Sequence, residues 1–228
     1  MTIGFIGLGK MGRGMASNLQ TKGFPLMVFD VVEAPVKALE GLGAKRGTIQ
    51  EIAAACDIVV TVLPTGKEVN EVILAPGGVL DHAKPGTLIL DLSTIDPDTT
   101  DLLHSEARRR GMTAVDAPIG RLAWHADRGQ SLFMVGADDA DYQRVLPLLN
   151  AMGTTIHHSG GPGAGTRMKL VNNYLAIILC QLNAEALSLS QRFGLDLVKT
   201  LDVLYGTTAT NGQLKVNWPN KVLAGDTE

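Results

Sequence analysis

Apolar residues in the first two-thirds of the chain cluster in short β-branched runs, separated by stretches whose apolar positions recur three and four residues apart. The runs predict strands over Thr2–Ile6, Leu26–Phe29, Ile58–Leu63, Leu88–Leu92, Thr113–Asp116, Leu132–Val135 and Thr155–His157. The stretches between most of them predict helices, and local signals mark the ends. Met11 to Lys22 is a helical pattern closed by Gly23. Thr48 and Glu51 have capping-box spacing ahead of Ile52. Asp96-Pro97 supplies an N-cap and a proline at the first helical position, and Gly111 closes that helix. Strands alternating with helices predict an α/β fold, a parallel sheet covered on both faces.

At Gly160-Gly161-Pro162-Gly163-Ala164-Gly165 the pattern changes. Thr166 to Phe193 reads as one long helix stopped by Gly194, and Leu197 to Tyr205 as another stopped by Gly206, with no strand pattern afterwards. Residues 1–162 are therefore expected to form the α/β domain, and 163–228 the start of an all-helical second domain. Two helices and a tail do not enclose a core alone, so this domain is expected to be incomplete or completed by another subunit. A homo-oligomer, dimer or tetramer, follows from that expectation.

Composition narrows the class. Apolar residues make up 45% and charged ones 19%, too apolar a chain to remain disordered. The formal net charge of −3 lacks the basic surplus that grips phosphate backbones, so no nucleic-acid partner is expected. Apolar runs fall short of the ~20 residues of a membrane helix, so no membrane partner is expected. Cys56 and Cys180 lie far apart in apolar surroundings, which points to reduced thiols and a cytoplasmic location. The short stretch Met1–Leu8 has no basic residue before it and runs into a glycine turn, unlike a secretory signal.

The first chemical motif is Gly7-Leu8-Gly9-Lys10-Met11-Gly12, a GxGxxG pattern. Alone it is weak in a chain with 26 glycines. Its place between a predicted strand and a predicted helix makes it specific. Gly7 permits a tight turn, Gly9 lets a pyrophosphate approach the backbone, and Gly12 lets helix and strand pack closely. The helix N-terminus then meets the phosphates, with Lys10 and Met11 in the same loop. Asp30 ends the second predicted strand, where an acid binds the ribose hydroxyls of NAD and repels the extra phosphate of NADP. By itself Asp30 would be an ordinary turn residue. With the glycine motif it completes a Rossmann-type doubly wound sheet and implies NAD as cofactor.

Ligands of such sheets sit beyond the strand ends, so the loops Leu63-Pro64-Thr65 and Ser93-Thr94-Ile95 supply candidates. Leu63, Pro64 and Thr94 are assigned to the cofactor, and Ser93 to the substrate. Further on, Lys169, Asn172 and Asn173 stand at i, i+3 and i+4, on adjacent parts of one helix face within apolar surroundings. Spacing alone is equally consistent with a snorkelling lysine beside surface asparagines. Arg108-Arg109-Arg110 reads as a helix end that complements the dipole. No ligand-spaced Cys, His or carboxylate cluster occurs, so no metal is expected. Neither a GxSxG elbow nor a P-loop pattern is present.

Four blocks together resemble the β-hydroxyacid dehydrogenase family, which includes 3-hydroxyisobutyrate dehydrogenase and tartronate semialdehyde reductase. They are Gly4 to Gly12, Asp116-Ala117-Pro118, Gly160 to Gly165, and Lys169-Leu170-Val171-Asn172-Asn173. The resemblance implies that Lys169 is the catalytic lysine and Asn173 the amide that positions the substrate. Gly120-Arg121, Asn172-Asn173-Tyr174 and Trp218-Pro219-Asn220-Lys221-Val222-Leu223 resemble sulfonate-reducing members. That implies a short anionic aldehyde, 3-sulfolactaldehyde, contacted by Gly120, Arg121 and Asn172. A 3-hydroxyisobutyrate-type, tartronate or succinic semialdehyde reductase is the alternative, and a catalytically silent dinucleotide-binding module the remote one.

Overall fold

The computed structural model describes residues 1–225; residues 226–228, the end of the predicted second domain, lie outside them. The chain divides into two compact units, Met1–Lys169 and Leu170–Glu228.

In the first unit, six strands lie parallel: β1 (Ile3–Ile6), β2 (Leu26–Phe29), β3 (Lys45–Arg46), β4 (Ile58–Thr61), β5 (Leu88–Asp91) and β6 (Thr113–Asp116). Their order is β3-β2-β1-β4-β5-β6, so it reverses between β1 and β4. In such sheets the crevice beyond that reversal is where ligands bind. The helices of this unit are α1 (Gly12–Thr21), α2 (Glu33–Gly41), α3 (Ile49–Ala55), α4 (Gly66–Val69), α5 (Val79–His82), α6 (Pro97–Arg109), α7 (Ala123–Asp127) and α8 (Asp139–Met152).

Strands β1, β4 and β5 are buried along their whole length, as a sheet covered on both faces requires. Alternation sends their side chains into two cores. Ile3, Phe5, Val28 and Val60 pack with Met15 and Leu19 of α1 and Leu148 of α8 on one face. Ile6, Val59 and Ile89 pack with Ile52 of α3 and Leu103 of α6 on the other. The expected caps are realised. Glu51 N donates to Thr48 Oγ1 at 3.2 Å while Thr48 N donates to Glu51 Oε2 at 2.8 Å. Thr99 N donates to Asp96 Oδ1 at 2.8 Å at the start of α6.

The sheet is not wholly parallel. β7 (Ile119–Gly120) and β8 (Ser131–Gly136) run antiparallel to each other, and β8 also pairs antiparallel with β6. Between β6 and β8 the chain makes only β7 and the short α7, without the crossover a parallel return needs. β9 (Gly153–Gly160) then pairs parallel with β8. The two-residue strands β3 and β7 are too short for alternation to reveal.

Helix α9 (Ala164–Arg192) begins two residues before its predicted start. The predicted break after Pro162 precedes this helix, whereas the compact units part after Lys169. The first turn of α9 belongs to the first unit because it is hydrogen-bonded to the sheet. In the second unit, α9 continues from Leu170, followed by α10 (Leu197–Tyr205) and a wider-turned helical segment, Gln213–Val222. Leu187, Leu201, Leu214 and Trp218 form its buried cluster. Asn183 and Asn211 exchange amide hydrogen bonds of 3.1 and 2.9 Å within it.

Candidate active site

The glycine loop leaves β1 and enters α1. Gly7 adopts φ +96°, and a Cβ there would strike the Val62 carbonyl. A Cβ on Gly12 would strike the Gly7 carbonyl in turn, so loop and helix pack backbone to backbone. Gly9 differs, because a Cβ there would meet nothing within 4 Å. Its surroundings are open, as a cradle for pyrophosphate must be. Lys10 is exposed and Met11 half-buried. Leu8 N donates to Asp30 Oδ2 at 2.6 Å, and Val32 N to Asp30 Oδ1 at 2.7 Å. The acid is thereby held against the glycine loop, and its oxygens keep lone pairs for ribose hydroxyls. Loop, acid and helix end fit a dinucleotide.

At the next strand ends, Asp91 is fully buried and draws two loops together. Thr61 Oγ1 donates to Asp91 Oδ1 at 2.7 Å, and Ser93 Oγ to the same oxygen at 2.6 Å. Ser93 Oγ in turn accepts from Leu63 N at 2.9 Å. Burial pushes the Asp91 carboxyl above the usual range, against the hydrogen bonds from Ser93 and Thr61. Ser93 is buried, and its hydroxyl joins the Leu63-Pro64 loop to the Ser93-Thr94 loop. Pro64 and Thr94 are exposed at those loops.

Asp116, one strand over and in register with Asp91, anchors the start of α9. Gly163 N donates to its Oδ1 and Thr166 N to its Oδ2, each at 2.7 Å. His104 Nε2 lies 3.0 Å from Oδ1. Thr100 and Thr166 hydroxyls meet at 3.1 Å, and Arg167 forks onto Asp101 at 2.9 and 2.7 Å. Sequence reasoning placed Asp116 only within a motif. The available signal was an acid ending an apolar strand, the same signal that marked Asp30.

One turn beyond Thr166, Lys169 Nζ donates to the Ile119 carbonyl at 2.7 Å. Lys169 is half-buried, and burial lowers its pKa from the ordinary lysine value. The structure thus brings Lys169 to the chain just ahead of Gly120 and Arg121. Gly120 is buried, and a Cβ there would press on Leu132.

Arg121 has a left-handed backbone, φ +73°. Its Nη1 donates to the Gln130 carbonyl at 2.6 Å and to Thr154 Oγ1 at 3.0 Å, and its Nη2 to Thr155 Oγ1 at 2.9 Å. Much of the fork is thus used on the protein itself. Asn172 and Asn173 belong to the second unit, three and four residues past Lys169 along α9, and Asn172 Nδ2 donates to Asn173 Oδ1 at 3.3 Å. Among the described residues, no group of three or more His, Cys, Asp or Glu could hold a metal ion, and no helix is long and apolar enough to cross a membrane.

Residues 2–160 match the family model for the NAD binding domain of 6-phosphogluconate dehydrogenase. Residues 163–228 match that for the NAD-binding domain of NADP-dependent 3-hydroxyisobutyrate dehydrogenase. The chain is 40% identical over 225 residues to 3-sulfolactaldehyde reductase of Escherichia coli (strain K12), covering 98% of this chain and 76% of that protein. It is 37% identical to NAD-dependent L-serine dehydrogenase of Pseudomonas aeruginosa, over 95% of this chain and 74% of that protein. Among solved structures, Mycobacterium tuberculosis 3-hydroxyisobutyrate dehydrogenase with L-serine superposes with a TM-score of 0.89 at 33% identity, over 96% of this chain and 74% of that one. A dinucleotide cradle closed by Asp30, and a half-buried lysine brought to the Ile119 carbonyl by a helix bolted to the sheet, accord with these matches: the chain belongs to the β-hydroxyacid dehydrogenase family of NAD-dependent oxidoreductases.

Proposed function

We propose that the protein is a reductase of a short anionic aldehyde, converting 3-sulfolactaldehyde to 2,3-dihydroxypropane-1-sulfonate and able to run in reverse. The observation that carries the reading is Lys169, half-buried and held 2.7 Å from the Ile119 carbonyl. NADH, when bound, supplies a hydride to the carbonyl carbon. Lys169 donates a proton to the carbonyl oxygen during reduction and accepts one from the hydroxyl during oxidation. Desolvation lowers its pKa, which brings the neutral form closer to working pH and makes both roles accessible. The Ile119 carbonyl holds the ammonium in place until substrate takes over that hydrogen bond.

Gly7, Gly9, Lys10, Met11 and Gly12 are assigned to the pyrophosphate, Asp30 to the adenosine ribose, and Leu63, Pro64 and Thr94 to the nicotinamide end. Asn173 orients the reacting group, and Asn172, Gly120 and Arg121 receive the anion. Similarity to 3-sulfolactaldehyde reductase supports a sulfonate. A carboxylate hydroxy acid or semialdehyde is the second reading, favoured by the similarity to L-serine dehydrogenase and by the bonds that already occupy Arg121. A homo-oligomer in a reducing, cytoplasmic compartment suits the exposed apolar face of α9 and the unpaired Cys56 and Cys180. The test is NADH oxidation with 3-sulfolactaldehyde, tartronate semialdehyde, succinic semialdehyde and a neutral aldehyde of similar size. The highest kcat/KM on the sulfonate supports the first reading. A higher value on a carboxylate transfers the function to the second, and turnover of none leaves a silent dinucleotide-binding module.

A further inference from the structure

A cavity of about 380 Å³ opens beyond the ends of β2 and β3, with Asp30, Glu33, Arg46 and Glu51 among its lining. Because Asp30 is bonded to Leu8 of the glycine loop, this cavity borders the ribose side of the cofactor cradle. Of the charged residues lining it, three are acids and one is a base, so the rim is acidic. The base is Arg46, and it is engaged. Its Nη2 lies 2.6 Å from Glu33 Oε1 and 3.4 Å from Glu40 Oε2. Glu51 is turned to other work, accepting the Thr48 amide at the start of α3.

We infer that Glu33 is a cofactor-specificity residue, which withholds Arg46 from the 2′-phosphate that distinguishes NADP(H) from NAD(H). A phosphate monoester brings roughly −1.5 to −2 charges, and an acidic rim repels it. Tolerance of that phosphate requires a cation with several donors, and a guanidinium fork is the best matched. The chain has such a fork beside the ribose acid and holds it in a short contact with Glu33. Asp30 repels the phosphate directly, whereas Glu33 acts by occupying the arginine that lines this cavity. Removing the Glu33 charge therefore does two things, easing repulsion and leaving Arg46 only its longer contact to Glu40.

The inference rests on the dinucleotide reading of the cradle, and the test separates the two. The full chain is titrated with NADH and NADPH, read by nicotinamide fluorescence, as wild type, Glu33→Gln, Arg46→Ala and the double variant. Glu33→Gln is expected to shift the Kd ratio toward NADPH by about tenfold or more, the size of a charge-assisted hydrogen bond. In the double variant most of that shift should vanish, and Glu33→Asp should keep the wild-type ratio. An unmoved ratio in Glu33→Gln overturns the inference. So does a shift that survives whole in the double variant, since charge removal alone would then explain it. Circular dichroism guards against misfolding, and Glu33→Ser replaces Glu33→Gln if the latter unfolds. Wild-type protein that binds neither nucleotide overturns the cradle reading and this inference together, whereas NADH binding with an unmoved ratio overturns only the inference.

Discussion

Phe5, Phe133, Ile3 and Ile89 in the first unit are fully buried, shared between the two faces of one sheet. In the second unit, Leu187, Leu201, Leu214 and Trp218 are buried, while Tyr174, Ile177 and Phe193 are 70%, 66% and 70% exposed. A sheet sandwiched by helices closes over its own apolar surface. A few helices leave stripes uncovered, and each large side chain left in water forgoes about 1.5–3 kcal/mol of burial. The difference teaches where rigidity is available. The proposed proton donor Lys169 is the last residue of the self-sufficient unit, one turn after the bonds that hold α9 to β6. The amides proposed to orient substrate belong to the less enclosed one.

If that division is right, the largest effect comes from Lys169 itself. Lys169→Ala should lower kcat by ~10²–10⁴, the usual contribution of a positioned acid or base, while NADH affinity changes little. Reduction needs the ammonium, so its rate should fall as pH rises through the Lys169 pKa. Oxidation needs the amine and should rise over the same range. Because burial lowers that pKa, both limbs should lie below the ordinary lysine range and vanish in the variant. Wild-type turnover in Lys169→Ala, with chemistry rate-limiting, would remove the lysine from the reaction.

Next come the paired aspartates. Asp116 accepts main-chain amides on both oxygens, so Asp116→Asn must set an N–H against an N–H. It should cost about 2–4 kcal/mol and release the start of α9. Asp91 accepts Thr61 Oγ1, Ser93 Oγ and Ser93 N on the single oxygen Oδ1, which asparagine can reproduce. Asp91→Asn should therefore cost less than ~1 kcal/mol, whereas Asp91→Ala strands those donors and should cost about 3. Urea unfolding of the three variants ranks them. Equal losses for the two asparagines would show that neither carboxylate's bonding decides its role.

A smaller effect is expected at Arg121. Arg121→Ala should raise KM for an anionic aldehyde by about tenfold, within the range of a hydrogen bond to a charge, and barely alter KM for a neutral one. Equal losses on both would assign the arginine to holding β8 and β9. Smallest for the first unit, Tyr174→Glu with Ile177→Glu should weaken concentration-dependent association in sedimentation velocity. Its effect on the sheet's stability should stay within ~0.5 kcal/mol. Association unchanged by both charges would mean this face is not where copies meet.

The sequence exposed features whose cause is local. Gly7, Gly9 and Gly12 share one short loop, the Thr48–Glu51 capping box and the Asp96 cap each close within three residues, and Asp30 follows directly on an apolar run, so spacing reveals them. Asp116, Ser93 and Arg121 each also have partners about thirty to fifty residues distant, which no window of sequence contains. Asp91 is only two residues from Ser93, but Leu63 N, which takes the remaining side of its hydroxyl, reaches it only in the folded sheet. The Arg121 fork is likewise engaged only once β9 brings Thr154 and Thr155 to it.

The three motif glycines, finally, are not equally open to drift. Gly7 and Gly12 are each hemmed by a carbonyl, the second by the carbonyl of the first, so neither can be exchanged by changing the other. Gly9 has vacant space around it, and a lineage released from selection for cofactor could replace it without disturbing β1 or α1. A descendant that had lost its ligand would thus shed the middle glycine first and keep the outer pair. Erosion of this motif would be a record of lost chemistry well before it became a record of a lost fold.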